Sequence, residues 1–246
     1  MKILLKFITS NNKIPIEYRK VFLSFFKKAL SGIAEGKYYD RFYASPQRHP
    51  FTFAVRLPRP NFSKEEILIE KNELQLIFST ADSMTGFIFM SAFIAQKGKL
   101  FNAPLSNTFT LSSVSQVKEK TVFSNSALIK MQSPLCLREH CRESNKDTYV
   151  SVASNEFAEK SQKILKEQLL SENFSEKLAS EVSIVPVNAK KTVVYHYGCA
   201  IECSIGEFVI NADKSIINYF LKSGIGSRKS SGFGCVELIA SDEQEV

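Results

Sequence analysis

The sequence predicts an α+β fold in which the element order β-α-β-β-α-β occurs twice in tandem. Within residues 1–123, a strand, a helix and two strands precede a capped apolar helix and a last strand. The same order can be followed with different residues in 124–246, and 246 residues are enough for two such domains. This order is the ferredoxin-like, or RRM-like, βαββαβ pattern. We therefore expect two tandem ferredoxin-like domains, 1–123 and 124–246.

The elements of the first half follow from apolar spacing and stop signals. Residues 2–8 form an apolar strand, and Pro15 is expected to open a helix that runs at helical spacing through Leu30. A basic, aromatic, turn-rich segment precedes the strand PFTFAVRL. The remaining predictions are a hairpin of 66–70 with 73–79, a helix capped by Asp82 and ending near Gln96, and strands at 109–111 and 114–123.

The second half repeats this order with weaker signals. Residues 127–131 predict a strand, and residues 155–170 predict a helix with apolar residues on one side. Residues 191–203 and 207–210 alternate like paired strands joined by a turn at 204–206. Asp213 is expected to cap a short helix, which is followed by a glycine-rich loop at 224–234 and a strand at 233–239.

Basic charge is concentrated at the start of the chain. The chain carries 32 Lys and Arg against 25 Asp and Glu, a net charge of +7. Residues 1–60 alone hold 12 of the basic residues and 3 of the acidic ones. A local excess of this size is typical of proteins that bind a polyanion, such as nucleic acid or an anionic membrane surface. The hydrophobic fraction of 44% and charged fraction of 23% exclude a disordered chain and a collagen-like repeat.

Neither a membrane segment nor a signal peptide is predicted. The longest apolar stretch, residues 86–95, is too short to span a bilayer. The N-terminal run MKILLKF is interrupted by Lys6 before an apolar signal core develops. The five cysteines are an odd number without an export signal, which indicates a reducing compartment. We therefore expect a cytoplasmic protein with no membrane partner.

Four of the ten glycines lie within the eleven residues GIGSRKSSGFG at 224–234. Glycine permits positive φ and close backbone approach, and free N–H groups in such a loop can bind a phosphate. Arg228 and Lys229 would add positive charge. The order helix, loop, strand differs from a dinucleotide-binding fingerprint, and no Gly-Lys-Ser/Thr ends the loop as in a P-loop. The residues leave two interpretations open, an anion-binding loop or a structural loop with a helix C-cap at Gly224 and a β-bulge near Gly232.

The C-terminal stretch around this loop resembles the signature of the CRISPR repeat-processing endoribonucleases. In that family a short helix is followed by G-x-G, a basic and Ser-rich interval, G-F-G and an apolar strand. Gly224, Gly226, Gly232 and Gly234 match this order. The early helix IPIEYRKVFLSFFKKAL, the strand PFTFAV and the mid-chain SPLCLRE are similar to the family in kind and order. The resemblance thus extends over nearly the whole chain and implies two tandem ferredoxin-like domains.

The resemblance implies a metal-independent endoribonuclease that cleaves CRISPR repeat RNA to produce mature crRNA. The RNA 2′-OH attacks the adjacent phosphate and leaves a 2′,3′-cyclic phosphate, which requires a base, an acid and a cation. The family commonly places a catalytic histidine in the segment that holds His49. We predict His49 as acid or base, Tyr39 and Tyr43 as alternatives for these roles, and Lys37 as the cation. No cofactor and no metal ion are expected.

The other two histidines are expected to lie outside the catalytic set. His196 lies among alternating apolar residues of a predicted strand, where a structural or RNA-facing position is favoured. His140 lies in a predicted charged loop. The cysteines near both histidines are spaced C-x4-C and C-x3-C, unlike two-residue zinc knuckles, so no metal site is predicted.

RNA binding is predicted along the first helix and the glycine-rich loop. The expected partners are CRISPR repeat RNA and a CRISPR effector complex, and the protein is expected to be a monomer or a homodimer. The alternative function is a non-catalytic RNA-binding subunit of such a complex, because those subunits also use ferredoxin-like folds and glycine-rich loops. The predicted RNA-contacting residues are Lys27, Lys28, Arg41, Arg48, Lys190, Lys191, Arg228 and Lys229.

Overall fold

A computed structural model describes residues 1–44, 49–141 and 143–242 of the chain. In its N-terminal half the strands and helices follow the predicted order, with short elements added between them. In chain order they are β1 (Lys2–Thr9), β2 (Lys13–Pro15), α1 (Tyr18–Ser31), α2 (Lys37–Tyr43), β3 (Phe51–Arg56), β4 (Asn61–Phe62), β5 (Glu66–Leu68), β6 (Glu73–Thr80), α3 (Ser83–Gln96), β7 (Leu100–Ala103) and β8 (Asn107–Val117).

The main sheet of this half has the antiparallel order β3-β6-β1-β8-β7. Without the edge strand β7, the first core strand lies between the third and the fourth, as the ferredoxin-like order requires. Helices α1 and α3 cover the sheet and bury a core built on phenylalanine. The rings of Phe78 and Phe89 lie 4.5 Å apart and those of Phe26 and Phe53 lie 5.1 Å apart. Edge-to-face and tilted ring pairs of this kind favour a well-packed core.

The C-terminal half repeats the topology. Its sheet has the order β12-β13-β9-β14, which again places the first core strand between the third and the fourth. The fold is therefore α+β with two tandem ferredoxin-like domains, as the sequence predicts. The elements are β9 (Ser126–Met131), β10 (Leu137–Cys141), β11 (Lys146–Val150), α4 (Phe157–Leu170), α5 (Glu176–Ser180), β12 (Ser183–His196), β13 (Cys199–Asn211), α6 (Lys214–Ser223) and β14 (Val236–Ser241).

The two domains are joined by the glycine-rich loop, which packs against β3. Thr52 Oγ1 donates to the carbonyl of Phe233 over 2.8 Å, and Arg19 Nε donates to the carbonyl of Gly232 over 3.0 Å. A Cβ atom on Gly232 would lie 2.8 Å from the ring of Phe53. Such a distance is far inside van der Waals contact. Only glycine therefore allows the loop to approach the N-terminal sheet this closely.

The predicted hairpin of residues 66–79 is wrong. Strand β5 pairs with β2 and β4 in a small separate sheet, whereas β6 pairs with β1 and β3 in the main sheet. Both strands exist where alternation predicts them. The error lies in their pairing, which depends on long-range contacts rather than on the two residues between them.

The turn of the second predicted hairpin is also misplaced. Strands β12 and β13 turn at Tyr197 and Gly198, whose φ angles are 51° and 74°. Both residues are left-handed, as a two-residue type I′ turn requires. Gly206, which predicts a turn at 204–206, instead lies within β13, where a Cβ atom would be 2.1 Å from the Asn188 carbonyl oxygen. The register shifts here between Pro186 and Asn188, so this glycine accommodates an irregularity in the sheet.

Three smaller differences concern element boundaries. Pro15 ends strand β2 and helix α1 starts only at Tyr18, with Glu17 as its N-cap. The segment predicted as turn-rich contains helix α2. The strands predicted at 109–111 and 114–123 are the single strand β8, which ends at Val117.

The predicted domain boundary between residues 123 and 124 falls between β8 and β9 and stays a prediction. Within the described residues, no helix has the length and apolar composition needed to cross a bilayer.

Candidate functional site

Three predicted site residues meet beside α2. Tyr39 and Tyr43 are one helical turn apart on α2, and their ring centroids are 5.7 Å apart. The His49 ring lies 5.5 Å from that of Tyr43 and stacks on Phe51 at 5.8 Å, at the start of β3. The ammonium of Lys27 on α1 lies 5.1 Å from the centre of the Tyr43 ring. We call His49, Tyr39, Tyr43 and Lys27 the His49 cluster.

Burial sets the protonation state of two of these groups. It lowers the pKa of His49, because a partly buried imidazole resists taking up charge. It raises the pKa of Tyr43 well above the usual range, and the phenols of Tyr197 and Tyr39 raise it further. At neutral pH the imidazole is thus free to accept a proton and the phenol keeps its own. The Tyr43 hydroxyl is buried and has no hydrogen-bond partner among the described residues.

The tip of the β12–β13 hairpin reaches the N-terminal domain next to the His49 cluster. The Gly198 N–H donates to Glu17 Oε1 over 3.3 Å, and Lys20 Nζ lies 4.7 Å from the centre of the Tyr197 ring. Lys20 and Glu17 are themselves paired. Tyr197 is not among the site residues that the sequence predicts. The sequence signal for this turn is a Tyr-Gly pair between two runs of alternating apolar and polar residues. It is weaker than the Asn-Gly or Asp-Gly pairs that are typical of such turns.

The other predicted residues of the N-terminal domain are less close to the cluster. Lys37 is exposed in the first turn of α2, and its offset of two positions from Tyr39 turns it roughly 200° around the helix. Lys27, predicted as an RNA contact, is the cation that contacts the rings. Lys28 Nζ donates to the carbonyl of Leu100 over 3.3 Å. Arg41 lies 5.8 Å from the ring of Phe42. Arg48 lies outside the described residues.

The glycine-rich loop is largely closed to ligands along its backbone. The N–H groups of seven of its residues donate to protein acceptors, so they are not free to bind a phosphate. Gly232 closes a short 3-10 turn in a left-handed conformation rather than the predicted β-bulge. The loop's structural role is therefore well supported. The seven donors are Gly224, Ile225, Gly226, Ser227, Ser231, Gly232 and Gly234.

The charged side chains of the loop have partners of their own. Arg228 Nη2 donates to Asp147 Oδ2 over 3.0 Å and to the Tyr149 hydroxyl over 2.8 Å. Lys229 Nζ lies 5.7 Å from the centre of the Tyr219 ring. On β12, Lys191 pairs with Glu202 at 2.5 Å. Lys190, the preceding residue on this edge strand, is exposed.

The two remaining histidines occupy contrasting environments. His196 is 1% exposed, and both its ring nitrogens lack a partner among the described residues. Burial, with the charges of Arg19 and Arg228, lowers its pKa to about 4, so it is neutral and structural. His140 does not lie in a loop, as predicted, but on β10, where its Nδ1 is 2.8 Å from Asp147 Oδ1. Among the described residues, no group of three or more His, Cys, Asp or Glu could hold a metal ion.

A basic cavity of about 200 Å³ lies between the two domains, away from the His49 cluster. Its floor is apolar, and two carboxylates, Glu119 and Glu237, lie among its walls. Sequence reasoning missed it, because its residues come from both ends and the middle of the chain. Its basic lining residues are Lys2, Arg56, Lys118, Lys120 and Lys222.

The fold and the loop define a tandem ferredoxin-like protein with a C-terminal glycine-rich loop. Residues 117–238 match the family model described as CRISPR associated protein Cas6, C-terminal. The chain therefore belongs to the Cas6 family through its C-terminal half, and the resemblance seen in the sequence is confirmed. Among curated proteins, no match to the sequence was found.

Solved structures of this family share the fold over the whole chain. A protein described as the product of a Cas6-related gene from Pyrococcus furiosus is 18% identical, with a TM-score of 0.83 over 98% of this chain and 99% of its own. A protein described as an RAMP protein binding different RNA substrates is 18% identical, with a TM-score of 0.82 over 98% and 100%. One described as CRISPR associated protein Cas6 is 19% identical, with a TM-score of 0.75 over 98% and 99%. At these identities the likeness concerns the fold.

Proposed function

We propose that this protein is an endoribonuclease that cleaves CRISPR repeat RNA to produce mature crRNA. The observation that carries the proposal is the His49 cluster. It joins a neutral imidazole, a buried phenol that has no hydrogen-bond partner among the described residues and an ammonium group, contributed by three separate segments of the chain. Membership of the Cas6 family supports the same substrate.

Cleavage begins when a ribose hydroxyl attacks the phosphorus, and the His49 cluster supplies the chemical groups that this step requires. Neutral His49 accepts the proton of the 2′-OH as its oxygen attacks the adjacent phosphorus. The bond from phosphorus to the 5′ oxygen breaks, and Tyr43 donates its proton to that oxygen. Lys27 stabilises the negative charge that develops on the phosphorane. The products are a 2′,3′-cyclic phosphate and a 5′-OH, formed without a metal ion. Tyr39 stays the alternative donor, and Lys37 stays a predicted cation.

The rest of the RNA would follow the basic surfaces. The five basic side chains of the inter-domain cavity and its apolar floor fit a single strand, whose phosphates need cations and whose bases need apolar contacts. Lys28, Arg41, Arg48 and Lys190 are proposed as further backbone contacts. Binding to a CRISPR effector complex, a monomeric or dimeric state and a cytoplasmic location are proposed on the family resemblance.

A second candidate function is a non-catalytic RNA-binding subunit. The likeness to an RAMP protein described as binding different RNA substrates favours this alternative, since that description names binding alone. Both functions require repeat RNA to bind, so cleavage must distinguish them.

The test is a cleavage assay on end-labelled repeat RNA from the same genome, run in excess EDTA. A single cut that leaves a 2′,3′-cyclic phosphate in the wild type, and is lost in His49→Ala, supports the proposed enzyme. Lys71→Ala, in the exposed turn between β5 and β6, is the control variant and should cut like the wild type. Tight binding without a cut favours the second function, and a cut only with added metal contradicts the metal-independent course.

A further inference from the structure

The β10–β11 hairpin gathers four hydrogen-bond donors on a single carboxylate. Asp147 accepts from His140 Nδ1 at 2.8 Å, Arg228 Nη2 at 3.0 Å, Arg138 Nη1 at 3.2 Å and the Tyr149 hydroxyl at 3.2 Å. Side chains alternate along a strand, so Arg138 and His140 share one face of the hairpin with their cross-strand neighbours Tyr149 and Asp147. We call this group the Asp147 cluster.

The carboxylate fixes the hydrogen-bonding character of His140. Hydrogen bonds from His140 and Arg138, with the charge of Arg138, outweigh burial and lower the pKa of Asp147 to about 2. Asp147 is therefore ionised at neutral pH and can only accept hydrogen bonds. A neutral His140 ring facing this acceptor carries its proton on Nδ1 and keeps a lone pair on Nε2. Since the His140 side chain is 39% exposed, that acceptor is accessible from solvent.

The cluster also has more donors than one carboxylate can use. Arg138 contacts Asp147 through one terminal nitrogen only, while its side chain is 38% exposed. A guanidinium has five N–H groups in a planar fork that matches a phosphate. Two guanidinium groups also face one carboxylate, so the charges of Arg138, Arg228 and Asp147 alone leave the cluster with a net positive charge.

The glycine-rich loop holds this surface rigidly. The Ser227 N–H donates to the Cys136 carbonyl over 2.8 Å, and the Arg138 N–H donates to Ser227 Oγ over 3.3 Å. Glu139, on the opposite face of β10, pairs with Lys160 and Lys163 of α4. The exposed donors and the acceptor are thus presented side by side on a fixed element, as a preformed site requires.

We propose that the Asp147 cluster binds one ribose–phosphate unit of RNA, with Arg138 on the phosphate and Nε2 of His140 accepting a hydrogen bond from the 2′-hydroxyl. Asp147 and Arg228 are positioning residues that orient these two groups. The 2′-hydroxyl is the group that separates RNA from DNA, so the site discriminates between them. This inference rests on the proposed function only in taking RNA as the ligand, and it needs no cleavage.

The test measures the affinity of the full chain for labelled oligouridylate and oligodeoxyuridylate of about 20 nucleotides over a range of salt concentrations. Arg138→Gln should weaken both probes about tenfold and reduce the slope of log affinity against log salt by about 0.7, the value of one single-strand phosphate contact. Arg138→Lys should recover most of the slope. His140→Ala should weaken oligouridylate about fivefold and leave oligodeoxyuridylate within about twofold.

A purely structural hairpin gives a different result. Lys71→Gln removes one exposed charge far along the chain from the cluster and should leave both affinities near the wild type. The proposal is overturned if Arg138→Gln keeps the wild-type salt slope, if His140→Ala weakens RNA and DNA equally, or if the wild type binds neither probe. Thermal melting of each variant identifies a loss of folding. If repeat RNA is bound but not cut while these shifts are seen, the proposed enzyme fails and this site stands.

Discussion

Replacing Gly234 with alanine should destabilise the protein far more than the same change at another left-handed glycine. Gly234 has φ of +70°, and a Cβ atom there would lie 2.0 Å from the Ile225 carbonyl oxygen. Backbone must move by about an ångström to relieve this contact, because a carbonyl cannot rotate away like a side chain. That movement disrupts two hydrogen bonds of 2.8 Å, from Ile225 N–H to the Gly234 carbonyl and from Gly234 N–H to the Pro134 carbonyl.

The magnitude follows from these two contributions. Left-handed alanine costs about 1–2 kcal/mol, and two buried hydrogen bonds contribute about 1 kcal/mol each. Gly234→Ala should therefore lower the free energy of unfolding by about 3–4 kcal/mol, or the melting temperature by roughly 10 °C. Gly98→Ala is the matched control, because Gly98 has φ of +78° and open space around its Cβ position. It should cost only about 1–2 kcal/mol.

The assay is thermal and urea unfolding of both variants, followed by circular dichroism. If Gly234→Ala melts within a degree or two of Gly98→Ala, close backbone approach does not explain this glycine. The G-F-G motif would then have to be explained by ligand binding rather than by packing.

Three further predictions concern the His49 cluster and His196. The pKa of His49 is lowered from the ordinary histidine value of 6.5, and a general base works only when it is deprotonated. The single-turnover cleavage rate should therefore fall on the acid side only below pH 6.5, and a fall that begins at or above pH 6.5 contradicts this. Tyr43→Phe should lower that rate at least tenfold without reducing the free energy of unfolding, since the lost hydroxyl has no partner among the described residues; a less stable variant contradicts this. His196 has a folded pKa of about 4, below its unfolded value, so the wild type should lose about 2 kcal/mol of stability between pH 7 and 5, and His196→Phe should not. Urea unfolding at both pH values measures the last effect.

Local signals predicted much of the fold. The helix predicted from the cap at Asp82 is confirmed, and the Asp82 side chain accepts from the N–H groups of Met84 and Thr85. The same holds for Asp213, whose side chain accepts from Ser215 N–H at the start of α6. Both caps act within three residues, so the sequence contains all the information they need. Strand alternation is equally local, which explains why β1, β3 and β9 are found close to their predicted positions.

The long-range contacts between side chains and between the two domains could not be predicted in the same way. Tyr197 lies far from Tyr43 in the chain, and it comes close only because β12 and β13 continue past the sheet to meet α1. Asp147 and Arg228 are also far apart in the sequence, so the ion pair that holds Arg228 could not be predicted from it. The catalytic roles assigned to His49 and Tyr43 stay predictions. Their juxtaposition depends on α2, which the turn-rich composition of its segment concealed.

The docking of Tyr197 on the N-terminal domain has a consequence for how the protein matures during synthesis. A chain made from its N-terminus presents β1 to β8 first, and this domain can bury its phenylalanine core early. The surroundings of Tyr43 are completed only after Tyr197 has left the ribosome and the second domain has folded onto α1. A nascent chain therefore presents an incomplete His49 cluster until the second domain has folded onto the first.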